Sequence, residues 1–398
     1  MTQKLSSDRL RRMADVLRRN VDAGDRPGIV ALVAGGDDVH VECHGVQDTA
    51  KGAPMRRDTI FRVASLTKPV TAVAAMMLVE DATLRLDAPV DPWLPELASR
   101  RVLRTLESPL DDTVPANRPI TVRDLLTMRG GFGAIMAMPG TYPIQDAIAD
   151  AGLGPGALPP AMPPDEWLSR FSKLPLLHQP GERWMYDTGS LLLGVLVARA
   201  SGMPLSRFFA ERIFEPLAMA DTAFYVPSEK MDRFATAYSR DDSGALAVFD
   251  PAAGAWSSPP AFESGSGGLV STVDDYRTFG RMLLSQGRYG GKRLLSRVAV
   301  ELMLTDHITT EQKAASPFFP GFWDTSGWGF GGGITTRRDG IGPSTGSYGW
   351  TGGLGTTWSI DPREGLVSML FSQRLMTGPG DVGIYGDFFT LAYQAIED

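Results

Sequence analysis

The chain reads as an α/β protein of the α+β kind, in which an antiparallel sheet flanked by helices is built from both chain ends and a mostly helical region is inserted between them. Three observations predict this. Hairpin-like strand pairs stand near both ends, the middle carries mainly helical periodicity and helix-start signals, and amphipathic helices open and close the chain. The expected division is a sheet-containing unit from residues 1–90 and 255–398 and a helical unit from 91–254, with a site at their interface.

In "MTQKLSSDRLRRMADVLRRNVDAG", Leu10, Met13, Leu17 and Val21 fall on one face, the pattern of a helix docked on a sheet. The segment lacks the apolar centre of a secretory signal. Arg11, Arg12, Arg18 and Arg19 suit a transit peptide, but Asp8 and Asp15 oppose that reading. "GIVALVAGGDDVHVECHG" follows as two strands turning at Gly35, Gly36 and Asp37. The apolar run from Val70 to Val79 suits a buried helix and is too short to span a bilayer. Thr121 with Asp124, and Thr272 with Asp275, carry the spacing of a helix start. Between them, residues 132–164 are rich in Gly, Pro and Met without periodicity and read as a long loop. "GTTWSIDPREGLVSMLFSQR" repeats the hairpin pattern around Pro362 and Gly365. "DFFTLAYQAIED" closes the chain as a helix with Phe388, Leu391 and Ala392 aligned.

With 398 residues, 43% of them hydrophobic, the chain can bury a large core. Forty-six acidic against thirty-nine basic residues give a net charge of −7 without long like-charge runs. Neither a nucleic-acid footprint nor a basic membrane-binding face is visible, so a small-molecule partner is expected. Cys43 stands alone and cannot form an intramolecular disulfide, while His40, His44, His178 and His307 lack tight metal-ligand spacing. The expectation is a soluble cytoplasmic protein without bound metal.

Ser65 and Lys68 form the only S-x-x-K in the sequence. One such match is expected about once by chance in a chain of this size, so the motif gains meaning from its setting. If Ser65 opens the following helix, both side chains share a face one turn apart. A serine hydroxyl needs a base to accept its proton, and the positive end of a helix favours the charge that then develops. A lysine held against a buried apolar helix is costly to keep charged, so its pKa is expected to fall, letting it act as a base or share a proton. Tyr186, in "LHQPGERWMYDTGSLLLG", follows a Pro-Gly turn and precedes an apolar helix, where its phenol is either packing or a proton relay. In "SYGWTGGLGTTWSIDP", Trp350, Thr351, Gly352 and Gly353 enter a strand whose glycines mark a close backbone approach, for a turn or a ligand.

These elements, with "ITVRDLLTM" and "GGLVSTVDDYRTFGRMLL", resemble over nearly the whole chain the serine penicillin-recognising superfamily of class C β-lactamases, DD-peptidases and family VIII carboxylesterases. The resemblance implies a β-lactamase/DD-peptidase-like fold, Ser65 as nucleophile, Lys68 and Tyr186 as proton relay, and the N–H groups of Ser65 and Gly353 as oxyanion hole, with no cofactor. Two departures matter. Tyr186-Asp187-Thr188 lacks the asparagine of Y-x-N, and Trp350-Thr351-Gly352 replaces K-T-G, removing the cation that would recognise a carboxylate. The latter resembles the W-x-G form of family VIII esterases and favours neutral esters of short to medium acyl chain. A β-lactamase or peptide amidase, an acyltransferase using the same acyl-enzyme, and a non-catalytic acyl-ligand binder are the alternatives.

Substrate contacts are expected from Trp350, Thr351 and Gly352, from Met136 and Met138 in the long loop, and from Phe318, Phe319, Phe322 and Trp323 in "SPFFPGFWDTSGWGF". "GPSTG" around Ser344 matches the nucleophile elbow of α/β-hydrolases. No histidine follows it, and its surroundings do not read as strand, turn and helix, so Ser344 is expected to lie in a turn.

Overall fold

The computed structural model describes residues 4–154, 156–381 and 383–397. Its main sheet has seven strands. They are β1 (Gly28–Gly35), β2 (Asp38–Gly45), β3 (Ser326–Trp328), β4 (Gly333–Thr335), β5 (Tyr348–Gly352), β6 (Thr356–Asp361) and β7 (Leu366–Ser372). The order across the sheet is β3-β4-β5-β6-β7-β1-β2, every neighbour antiparallel. Strand β1 is buried along its whole length because both faces of the sheet are covered. Its alternation sends Val30, Leu32 and Ala34 into the main core and Ile29, Ala31 and Val33 into a second cluster. That second cluster lies under α1 (Ser7–Asp22), through Leu10, Met13 and Leu17, and the last helix.

On the other face lie α2 (Thr67–Glu80), α5 (Thr188–Ser201) and α6 (Val273–Leu284), with α7 (Gly383–Gln394) as the last helix beside α1. Thr67 through Leu78 are all buried, so α2 runs through the centre of the main core. Helix α5 packs along it. The segment after residue 263 is pressed between these two helices, since a Cβ on Gly265 would sit 2.8 Å from Ser190 O and 3.0 Å from Thr71 Cγ2. Only glycine permits that approach.

The stretch read as a loop holds a helix, α3 (Pro143–Asp150), and runs into α4 (Pro164–Ser172). Ile144 and Ile148, four apart, are the buried face of α3, and two apolar positions are too few for periodicity to register. The region between residues 91 and 254 also contains two small hairpins, Arg101–Leu103 with Thr113–Pro115 and Ala237–Arg240 with Leu246–Asp250. Among the described residues no single helix is long and apolar enough to cross a membrane.

Candidate active site

Ser65 lies in the 3-10 turn Ala64–Leu66, which runs directly into α2. Ala64 just before it has φ +47°, a left-handed conformation that costs an alanine about 1 kcal/mol and tightens the turn. Neighbouring segments hold it there. Val63 N–H donates to Leu269 O (3.0 Å), Leu269 N–H donates to Thr67 Oγ1 (3.1 Å), and Tyr276 Oη donates to Leu66 O (2.5 Å). Lys68 follows one turn on and is completely buried. Its ammonium has three donors, and three acceptors meet it: Ser65 Oγ at 2.9 Å, Ser266 O at 2.7 Å and Asp187 Oδ1 at 2.7 Å.

This overturns the expected fall in the Lys68 pKa. Burial is the strongest single influence and does push it down, but the Asp187 carboxylate and Tyr186 together outweigh burial and hold it above the ordinary lysine value. The charge is kept because its counter-ion, the half-exposed Asp187, lies 2.7 Å away.

Tyr186 lies in the turn before α5, fixed by Met185 N–H donating to Met128 O (2.8 Å) and Ala134 N–H donating to Tyr186 O (2.9 Å). Its Oη donates to Ser65 Oγ (2.8 Å) and accepts from Trp350 Nε1–H (2.6 Å). Asp187, the N-cap of α5, has φ +85° and ψ −58°, and this sharp turn lets adjacent side chains serve Ser65 and Lys68. From the sheet, β5 ends against the nucleophile turn. A Cβ on Gly352 would sit 2.5 Å from Val63 O, so the strand's approach depends on glycine. Gly353 follows, and a side chain there would meet nothing within 4 Å.

Beside Tyr186, Asp187 and Ser266 opens a chamber of about 490 Å³. Its apolar wall includes Ile135, Ile148, Leu153, Trp167 and Leu191, drawn from α3, α4, α5 and the turns around α3. The Beta-lactamase family profile matches residues 13–387. The chain belongs to the beta-lactamase family. Protein Rv1367c of Mycobacterium tuberculosis is 39% identical over 364 residues, covering 90% of this chain and 88% of that protein. Esterase EstB of Burkholderia gladioli is 30% identical over 378 residues, covering 88% of each. The solved structure of EstCE1, a hydrolase with promiscuous acyltransferase activity, superposes with a TM-score of 0.77 over 98% of both chains at 23% identity and shares the fold.

In this beta-lactamase family member the residues expected at the site separate into two groups. Ser65, Lys68, Tyr186 and Trp350 are joined by hydrogen bonds, with Gly352 packed against the turn. The others lie outside the chamber. Met136 and Met138 are 48% and 78% exposed and do not line the chamber. Phe318, Phe319, Phe322 and Trp323 cluster with Trp184 and Trp328 around Tyr186 and Trp350, supporting those rings from outside the chamber. Thr351 Oγ1 pairs with Thr357 Oγ1 (3.0 Å) on the neighbouring strand.

Ser344 is buried in a turn of its own. Its N–H donates to Asp361 Oδ2 (2.8 Å), and its hydroxyl donates to Glu364 Oε1 (3.0 Å) and accepts from Arg338 (2.6 Å). Sequence reasoning did not single out Asp187 or Ser266 as partners of Lys68. Ser266 acts through a backbone carbonyl, which leaves no residue-type signal beyond the flanking Gly265 and Gly267.

Proposed function

We propose that this protein is a serine carboxylesterase acting on neutral esters through an acyl-enzyme on Ser65. One observation carries the reading: Ser65 Oγ is within hydrogen-bond reach of both Lys68 Nζ and Tyr186 Oη, beside an apolar chamber. In the reaction Oγ attacks the ester carbonyl while its proton passes into the Lys68/Tyr186 pair, and the same proton then leaves with the alcohol. Water repeats the exchange to release the acid. The N–H groups of Ser65 and Gly353 are the donors assigned to the carbonyl oxygen, in line with the close approach of β5 to the nucleophile turn.

The preference for esters over β-lactams rests on Trp350, an uncharged donor already committed to Tyr186 where the related lactamases carry a lysine. The likeness to esterase EstB supports it. A panel of p-nitrophenyl esters of rising chain length, run beside nitrocefin and with an added alcohol acceptor, tests the reading. Ester turnover should dominate, Ser65→Ala should lower it by about four orders of magnitude or more, and a fluorophosphonate should label the peptide holding Ser65. A label on any other serine would overturn the assignment.

A further inference from the structure

The chamber beside Tyr186 is apolar over most of its wall, and its few polar groups narrow what it can hold. No lysine, arginine or histidine lines it. Of its two acids, Asp187 is paired with Lys68, and Asp146 has no cationic partner among the described residues. A carboxylate on the substrate would therefore meet no counter-charge there. The lining hydroxyls of Ser264 and Ser266 are turned on each other at 3.2 Å, and Ser266 Oγ also donates to Asp187 Oδ2 at 3.4 Å. Trp167 is different. It stands one turn into α4, 4% exposed, stacked on Phe171 at 5.1 Å and edge-on to Phe262 at 6.2 Å, so its indole is firmly held. An indole N–H is a donor only, and this one has no acceptor among the described residues. The N–H groups of Trp184, Trp328 and Trp358 also lack an acceptor, but those atoms are closed off inside the protein, whereas Trp167 borders the chamber. Thr188, at the start of α5, adds to the same wall a hydroxyl without a partner among the described residues.

We propose that Trp167 is a specificity-determining residue whose indole N–H donates to a neutral oxygen carried along the acyl chain, so that the substrates of this chamber are esters of uncharged, ether- or keto-bearing acids. This rests on the serine esterase reading above and names the acyl group that the reading leaves open. Water can serve the Trp167 N–H in the free protein. A hydrocarbon chain that displaces this water leaves a buried donor unpaired, while a chain with an oxygen at that point keeps it paired. Discrimination of this kind is stronger than a pocket gains from shape alone, because the wrong chain loses a bond that the site was built to make. The surrounding wall of Ile148, Leu153 and Leu191 takes the methylene groups on either side of the oxygen.

The test compares p-nitrophenyl heptanoate with its isosteres in which the fourth, fifth or sixth carbon of the acyl chain is replaced by an ether oxygen, on the wild type and on Trp167→Phe, which keeps an aromatic ring and removes the donor. The readout is the ratio of kcat/KM for each ether isostere to that for heptanoate, so the different hydration of the chains cancels between the two proteins. For at least one position of the oxygen, Trp167→Phe should lower this ratio by about tenfold. A loss shared equally by all the esters, with the ratio unchanged, means that Trp167 only packs the wall and overturns the proposal. A second measurement needs no variant: in a crystal structure of the wild type with an ether-bearing alkylphosphonate on Ser65, the ether oxygen should lie about 3.2 Å or less from Trp167 Nε1. An ether oxygen outside that reach at all three chain positions overturns the proposal, and this structure decides alone if Trp167→Phe does not fold. The two readings fail separately. A phosphonate bound to Ser65 with either overturning result sinks only the role of Trp167, whereas a phosphonate that never attaches to Ser65 sinks the esterase reading itself.

Discussion

Trp350 is a residue expected to contact substrate, and in the structure its indole donates to the oxygen that touches Ser65. Its ring packs edge-on against Trp328 at 4.6 Å and beside Phe318 and Phe322, so the donor is rigidly aimed. A hydrogen bond to an oxygen that carries charge during reaction is worth about 1.5–3 kcal/mol. Trp350→Phe keeps the ring and removes the donor. It should lower kcat about 10- to 100-fold with little change in KM, as measured by steady-state kinetics on a short-chain ester. A raised KM at unchanged kcat would return Trp350 to a substrate-binding role. At this scale the sequence revealed residue types but not their partners. The pairing of Ser65 with Lys68 was readable because motif spacing and helix starts are local, whereas Tyr186 entered through the family resemblance. The Asp187–Lys68 pair spans 119 residues and depends on one left-handed backbone angle, neither of which a string of letters encodes.

Among the elements, two identical signals met different ends. At Thr121 both halves of the capping box form: the Asp124 N–H donates to Thr121 Oγ1 (3.2 Å) and the Thr121 N–H donates to Asp124 Oδ2 (2.9 Å). At Thr272 only the first half forms, because the Asp275 carboxylate is drawn to Asp221 N–H (2.7 Å) and the Thr222 hydroxyl (2.9 Å). The helix starts were legible from spacing, while the competing acceptor site was not, since residues 221 and 222 come from a distant turn. Burial pushes the Asp275 carboxyl up to about 6, against the opposing pull of its hydrogen bonds. With the folded value above the unfolded one, its contribution to stability is fully present below about pH 4 and is lost as pH rises through about 6. Asp275→Asn keeps an acceptor oxygen and removes the charge. Its melting temperature should match wild type near about pH 4 and exceed it by roughly two degrees or more near about pH 7.5. A constant difference across that range would mean that Asp275 does not titrate on unfolding.

For the molecule as a whole, the site exists because the sheet and the helices between residues 91 and 254 share one continuous core, with α2 and its nucleophile turn running through it. The antiparallel sheet from both chain ends was readable from two hairpin patterns. The chamber was not, because its wall is assembled from side chains of α3, α4 and α5 and from turns whose inward faces are chosen only by packing. That is why composition pointed to Met136 and Met138, which are exposed, and missed Ile148, Trp167 and Leu191. If the chamber holds the apolar part of the ester, its free space of about 490 Å³ sets the size limit. Leu191 sits on α5 one turn beyond Asp187 and borders the chamber, so a larger side chain there would extend into it without touching Ser65, Lys68 or Tyr186. Leu191→Trp should leave kcat/KM for p-nitrophenyl acetate within about threefold of wild type while lowering that for the octanoate by about tenfold or more. Equal losses for both esters would mean that the acyl chain lies elsewhere, and the aromatic cluster around Phe318 and Trp350 would then be the wall to alter next.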